Sequence, residues 1–231
     1  MRQTYPLISC ICITNDRPLL LKRAIKCFEA QNYPNKQLVI SYPKKDQRTK
    51  IIIDLFLANL ELDILPIARE NEESVGNARN QAIAKCRGDY ICVWDDDDWY
   101  HASRLSFQYN SMATIGRGYQ ASILTHVLLY DSTTEKAYLS FSYTWDGSIL
   151  CRKEIILQNP YAYQDKGEDT HIIKFLDSRK LLYHIHEAAF LYIYIYHGDN
   201  TWDYKHYEYF IEKSELLGNE VTETIKNLIK L

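Results

Sequence analysis

Residues 74–99 read SVGNARNQAIAKCRGDYICVWDDDDW. Ser74 is a good helix N-cap, and Val75, Ala78, Ala82 and Ile83 after it fall on one helical stripe. Gly88 closes that helix. Tyr90 to Trp94 is then a short apolar run with the length and β-forming content of a buried strand. Four aspartates, Asp95 to Asp98, follow at once. A helix, a buried strand and a polar cluster at the strand's carboxyl end are the parts of a parallel α/β sheet with a ligand edge.

The pattern repeats towards the N-terminus. Leu7 to Thr14 is a near-continuous apolar run stopped by Asn15 and Asp16. Arg17 to Gln31 carries Leu20, Leu21, Ala24, Ile25 and Phe28 at helical spacing, with Pro18 suited to the first turn. Lys36 to Ser41 reads as a strand, Thr49 to Leu60 as a helix, and Asp63 to Ala68 as a third strand in which Pro66 argues for an edge or an irregularity. The sum is βαβαβαβ, with Thr14-Asn15-Asp16 and Asp95 to Asp98 on the same sheet edge.

The second half is mixed. His101 to Ile115 reads as a helix. Ala121 to Tyr130 and Lys136 to Thr144 read as two strands joined by Asp131-Ser132-Thr133-Thr134, and Ser148 to Cys151 as a short extended piece. A helix over Glu168 to Leu176 and strands over Leu181 to Ile185 and Phe190 to Tyr196 follow. Terminal helices over Tyr204 to Leu217 and Val221 to Leu231 meet at Gly218-Asn219.

The 231 residues suit one domain with a small attachment. Lys plus Arg is 27 and Asp plus Glu is 30, a net charge of -3, so nothing in the bulk charge favours nucleic acid as a partner. The N-terminal apolar run is too short for a signal peptide, and no stretch approaches a transmembrane span. The six cysteines form no CxxC pair and sit in apolar segments, which fits free thiols in a reducing cytoplasm. The 19 tyrosines gather late in the chain, in half-buried strands and an amphipathic helix, or on an interface or sugar-stacking surface.

The carboxylate run carries the most chemistry. Four aspartates at one strand end repel each other, and confinement without a counter-charge would raise their pKa values. Mg²⁺ or Mn²⁺ with a substrate diphosphate would relieve that charge; a solvated acidic loop or a cap on the next helix by Asp98 would also accommodate it. Arg79 suits phosphate or an ordinary surface. Glu168 and Asp169 open a helix, either as dipole partners or with a general base among them. His197, beside Gly198, is a candidate ligand or a satisfied histidine. No GxGxxG, GxxxxGK[ST] or GxSxG motif is present, which argues against a dehydrogenase, a P-loop ATPase and an α/β-hydrolase.

Together these segments resemble the family 2 glycosyltransferases. LISCICITNDRPLLLKRAIKCFEAQNYPNKQLVI is similar to the family's opening strand, helix and strand, and SVGNARNQAIAKCRGDYICVWDDDDW to its most typical stretch, with the DxD signature. GSILCRKEI, GEDTHIIKFL and YIYHGDNTW are similar to its later segments, so the likeness spans roughly residues 5–202. The resemblance implies an α/β fold of the GT-A type, an αβα sandwich with a mostly parallel central sheet and a mixed, acceptor-side second half. It implies a single catalytic domain over 1–202, with the nucleotide-binding half about 1–100, the acceptor-side half about 101–202, and a helical extension at 203–231. It further implies inverting transfer from a nucleotide-sugar donor, a UDP-sugar favoured, to a glycan or lipid-linked glycan acceptor, with Mn²⁺ or Mg²⁺.

Residue by residue, the resemblance implies Asp169 as catalytic base, supported by Glu168 and by Asp98, which would orient its loop or approach the sugar. Thr14, Asn15, Arg79, Asp95 and Asp96 would bind the nucleotide, Asp97 and His197 the metal. Trp99, Gly147, Ser148 and Trp202 would face sugar or acceptor. Where family members often have an Asp-rich turn after the second strand, this chain has VISYPKKD over 39–46, leaving Tyr42 to stack on the base and Asp46 to reach it. The rival readings are a sugar-phosphate nucleotidyltransferase, which usually needs a glycine-rich basic loop after the first strand, and a degenerate domain that binds a partner through its tyrosine-rich end. A cytoplasmic location, at the inner face of a membrane if the C-terminal helices dock there, fits either transferase reading.

Overall fold

The structure is a computed structural model and describes residues 5–58, 62–70 and 73–230. The expected helix residues Asn59 and Leu60, and the terminal Leu231, lie outside the described residues.

The first half follows the sequence pattern closely. Strand β1 (Ile8–Ile13), helix α1 (Pro18–Glu29), β2 (Lys36–Pro43), α2 (Gln47–Leu57), β3 (Ile64–Arg69), α3 (Val75–Lys85) and β4 (Tyr90–Val93) alternate as expected. Then come β5 (Trp99–Tyr100), α4 (Arg104–Ile115), β6 (Ala121–Leu124), β7 (Leu128–Asp131), β8 (Lys136–Leu139), β9 (Leu150–Arg152), α5 (Lys153–Gln158) and α6 (Thr170–Ser178). The chain continues through β10 (Leu182–Ile185), β11 (Tyr192–Tyr196), α7 (Tyr204–Ile211), β12 (Glu215–Leu216) and α8 (Asn219–Leu228).

The main sheet has the order β10-β6-β9-β4-β1-β2-β3. Its β4-β1-β2-β3 part is parallel, β6 and β10 are parallel to each other, and β9 runs antiparallel to both β4 and β6. Both faces are covered, so the strands are apolar throughout and successive side chains enter opposite layers. Ile8, Cys10 and Cys12 join Leu38 and Ile40 beneath α1 and α2, while Ile11 and Val39 join Ala82 and Ile83 of α3 on the other face. Cys10 and Cys12 therefore share a face, and all six cysteines are buried free thiols. Pro66 sits in β3, the edge strand, where its missing N–H breaks no ladder.

The second half departs from the sequence reading. The expected strand Ala121 to Tyr130 is two strands in two sheets, with β7 in the second sheet, β12-β8-β7-β11-β5. The chain changes sheets at Thr125 to Val127, where the Ser140 hydroxyl accepts the Val127 N–H in place of a ladder partner. The expected strand Lys136 to Thr144 stops at Leu139, and the next residues turn towards the carboxyl edge of β4. The expected helix Tyr204 to Leu217 stops at Ile211, and Glu215 and Leu216 pair with β8 instead. Tyr207 and Phe210 of α7 lie in the same core as β1, and Ile225 and Ile229 close a third cluster against β7 and β11.

One close approach places the later half of the site. The α3 N-terminus packs against the loop before α6: the Val75 N–H donates to Asp165 (2.9 Å), and the Gly76 N–H to the Gln164 carbonyl (3.1 Å). A Cβ on Gly76 would sit 1.8 Å from the Ala162 carbonyl oxygen, so only glycine allows this contact.

Candidate active site

Beyond Val93 the chain leaves the sheet with Trp94 fully buried, its indole N–H donated to the Ala24 carbonyl (3.1 Å). The four aspartates then divide among different partners, with Arg17 shared by Asp96 and Asp97. Asp95 receives Arg79 (2.8 Å), and Asp96 receives the Thr14 hydroxyl (2.6 Å) and, more weakly, Arg17 (3.5 Å). Asp97 meets Arg17 (2.9 Å) and the His197 Nε2 (3.3 Å). Asp98 accepts the Tyr192 hydroxyl (2.5 Å) and the Ile195 N–H (3.0 Å). This is no solvated loop: Asp96 is 3% and Asp98 1% exposed. Nor does Asp98 cap a helix, since α4 begins only at Arg104 and Asp98 is spent anchoring β11.

Electrostatics follow from the crowding. Burial, then the Asp97 charge, push the Asp96 carboxyl up to about 7. Burial and the neighbouring Asp97 and Asp95 also raise Asp98. Burial acts against ionised Asp97 as well, but the hydrogen bond from His197 and the charge of Arg17 outweigh it and hold Asp97 below the usual carboxylate range. Of Asp96, Asp97 and Asp98, Asp97 is thus the one whose charged form the surroundings favour.

Arg79 joins the two acidic centres that the sequence places 73 residues apart. It reaches from α3 to Asp95 through one terminal nitrogen and to Glu168 through the other. Burial works against its charge, yet Asp95 and Glu168 more than reverse that and hold the guanidinium protonated. Asp169, next to Glu168, faces the same cavity of about 450 Å³ as Asp95, Asp96, Asp97 and Asp98. Its carboxylate does not cap α6.

The other expected site residues divide. Gly147 and Trp202 line the cavity. A Cβ on Gly147 would come within 2.9 Å of the Tyr192 hydroxyl and 3.4 Å of the Asp95 carboxylate. Ser148 is fully buried and structural, its hydroxyl donating to the Trp145 carbonyl (2.6 Å) and accepting the Leu124 N–H (2.9 Å). Trp99 pairs with β11 and packs its ring near His101, away from the cavity lining. Asn15 borders a second depression with Pro43, Lys45, Arg69 and Ser74, and the Thr14 carbonyl accepts Arg69 (2.9 Å) at its edge.

Tyr42 and Asp46 are corrected by their surroundings. Tyr42 alternates onto the same face as Leu38 and Ile40, so its ring is buried in the core beneath the helices and has no open face for a base. Asp46 is the N-cap of α2: it accepts the Thr49 N–H (2.9 Å) and the Asp16 N–H (2.8 Å), which engages both oxygens.

Sequence reasoning missed Arg17, Arg104 and Asp146. Arg17 had a signal, its place beside Thr14-Asn15-Asp16 at the β1 edge. Arg104 is fully buried among Trp94, Tyr100 and Tyr192 and donates to the Gly147 carbonyl (3.2 Å), which fixes the loop that carries Asp146. Asp146 lines the cavity opposite Glu168 and Asp169. Burial, and then those two charges, push its carboxyl up to about 7.

The sign of the Asp146 effect can be tested. Its folded pKa lies above the unfolded value of about 3.9, so its contribution to stability is complete below about pH 4 and is lost as pH rises through about 7. Asp146→Asn removes the loss. Melting curves of the variant and the parent should nearly coincide at pH 4, and by pH 8 the variant should melt several degrees higher, each unit of pKa separation being worth about 1.4 kcal/mol. A gap that stays constant with pH would refute the assignment.

A parallel sheet with a carboxylate turn at its switch edge and a mixed acceptor-side half is the GT-A arrangement. The chain belongs to glycosyl transferase family 2, whose family model matches residues 9–127. The Escherichia coli (strain K12) glycosyl transferase WcaA, named for colanic acid biosynthesis, is 30% identical over 131 residues, 54% of this chain and 42% of that protein. Among solved structures, S. aureus TarS 1-349 in complex with UDP-GlcNAc has a TM-score of 0.66 at 14% identity, covering 84% of this chain and 59% of that one. The mannosyltransferase PcManGT from Pyrobaculum calidifontis in complex with GDP-Man and Mn²⁺ has a TM-score of 0.66 at 12% identity, covering 86% and 59%. At such identities the structures establish the fold. The chain spans less than half the length of WcaA and about 60% of these two structures. Among the described residues, no helix is long and apolar enough to cross a membrane.

Proposed function

We propose that the chain transfers a sugar, with inversion, from a nucleoside-diphosphate sugar, a UDP-sugar favoured, to a hydroxyl of a glycan or glycolipid. The observation that carries this reading is one cavity in which the Asp95 to Asp98 turn faces Asp169, with Arg79 bridging Asp95 and Glu168. The complexes of TarS with UDP-GlcNAc and of PcManGT with GDP-Man support a nucleotide-sugar donor.

The donor set suits a divalent cation, Mn²⁺ or Mg²⁺. Asp97 keeps its charge and lies 3.3 Å from the His197 imidazole. Among the described residues no three His, Cys, Asp or Glu side chains converge to hold an ion by themselves, so diphosphate oxygens would complete the shell. Bound there, the ion would supply positive charge to the departing nucleoside diphosphate.

The remaining roles belong to the chain. The acceptor oxygen attacks the anomeric carbon from the face opposite the diphosphate, a new glycosidic bond forms, the bond to the diphosphate breaks, and Asp169 takes the hydroxyl proton. Arg79 is locked between two carboxylates, so it fixes the turn and Glu168 relative to each other. Arg17, paired with Asp96 and Asp97 and with its side chain 27% exposed in the cavity wall, is the guanidinium of the donor half that would meet phosphate.

Calorimetric titration with UDP, GDP, CDP and dTDP, each with and without Mn²⁺, tests the donor half. One nucleotide should bind tightly only with the metal, and Asp97→Ala should weaken that binding by at least about tenfold, the loss of one charged ligand contact. Equal binding with and without Mn²⁺, or an unaffected D97A, would place the metal elsewhere.

A further inference from the structure

The cavity has an aromatic side besides its carboxylates. Opposite the aspartate turn it is walled by Tyr143, Trp145, Trp202, His206 and Phe210, the last two from α7. These rings support one another. Trp145 lies 4.9 Å from Phe210, Tyr143 lies 5.2 Å from Phe210 and 5.7 Å from Trp145, and His206 stacks on Trp202 at 4.0 Å. Tyr143 keeps 43% of its surface exposed, so the wall presents a ring to the cavity and is not closed core.

Among the described residues, the carboxylates that line this end have no lining cation beyond those already paired. Asp146, Glu168 and Asp169 face one another across it. Arg79 is committed to Asp95 and Glu168, and Arg17 to Asp96 and Asp97. Burial lowers the pKa of His206, and the Lys166 ammonium, outside the lining, rests over Trp202 at 4.8 Å. Among the described residues, no hydrogen bond reaches the Asp146 or Asp169 carboxylate from another side chain, so each has lone pairs to offer.

We infer that the acceptor is an uncharged pyranose, held with its C–H face against the Tyr143 ring, which Trp145 and Phe210 back from the core, and with a hydroxyl beside the reacting one bound by Asp146. Aromatic faces carry partial negative charge and favour a sugar's C–H groups, while carboxylates accept from hydroxyls. Above about pH 7, where Asp146 is ionised, an acceptor bearing phosphate or carboxylate would meet Asp146 and Asp169 with no guanidinium at this end free to pair with, and like charges repel. The inference rests on the transferase reading above, and it makes α7 part of the substrate wall.

Saturation-transfer NMR on the full chain with Mg²⁺ and UDP tests it. The probes are methyl glycosides of glucose, galactose and mannose, with methyl glucuronide and glucose 6-phosphate as charged counterparts. At least one neutral glycoside should receive saturation, and neither charged probe should. Tyr143→Ala should cut the neutral signal by at least about fivefold, as expected for loss of a stacking face. Asp146→Asn should narrow the gap between methyl glucuronide and its neutral parent. Saturation of a charged probe above every neutral one, no saturation of any glycoside, or an unchanged signal in Y143A would overturn the proposal. UDP affinity is measured in the same samples by calorimetry: its retention in the variants shows they are folded, and its absence with glycoside signals intact would strike the donor reading and leave this one standing.

Discussion

Asp169→Asn is expected to lower sugar transfer by about 10²–10⁴-fold, the usual size of a general-base contribution. Asparagine keeps the shape of the side chain and cannot take the acceptor proton. Metal-dependent nucleotide affinity should stay within about twofold of the parent, because Asp169 touches neither Arg17, Asp97 nor His197 in the donor half. The split between turnover and binding is the test. Single-turnover transfer and nucleotide titration on the same preparation measure it, and transfer at the parental rate in D169N would remove the base assignment.

Arg79→Met carries the largest expected cost in stability. Arg79 is 6% exposed and its guanidinium is the partner of both Asp95 and Glu168. Its removal leaves the buried Glu168 carboxylate and the half-buried Asp95 carboxylate without the cation between them. Breaking a buried pair from one side costs about 3–5 kcal/mol, which in a chain of this size lowers the melting temperature by roughly 10 °C. Adding Glu168→Gln should recover part of the loss, since one of the stranded charges is then gone. The double-mutant cycle, read from denaturant midpoints, should therefore show coupling of at least about 1 kcal/mol. Additive losses would mean that the bridge between the turn and α6 is not energetically real. Nucleotide binding should fall in R79M as well, because Asp95 and Glu168 would repel the two walls of the cavity apart.

Residues 7–94 were legible because a parallel sheet covered on both faces leaves a strong trace. Each strand is an apolar run that stops at a polar cluster, and each helix is a stripe with a capping residue, such as Ser74 for α3. The second half leaves a weaker one. Ala121 to Tyr130 is apolar along its whole length, and nothing in that run says that β6 belongs to one sheet and β7 to another. That division depends on Ile185 and Ser140, which meet Thr125 and Val127 only after folding. Tyr204 to Leu217 has helical spacing, yet its last residues gain more from pairing with β8 than from another helical turn.

The same division runs through the site. Local periodicity, and the points where parallel strands stop, were enough to gather carboxylates at a strand end. They also put Thr14 and Asp96 on one edge and Glu168 and Asp169 at the start of a later helix. They could not assign roles to four identical aspartates. Folding did that: Asp97 keeps its charge against His197 and Arg17, Asp98 is tied to β11, Asp46 caps a helix, and Tyr42 lies in the core. Folding also brought Asp146, unmarked in the sequence, to the wall opposite Asp169. A carboxylate's pKa and task depend on the charges and burial around it, and those neighbours come from segments that only the fold brings together.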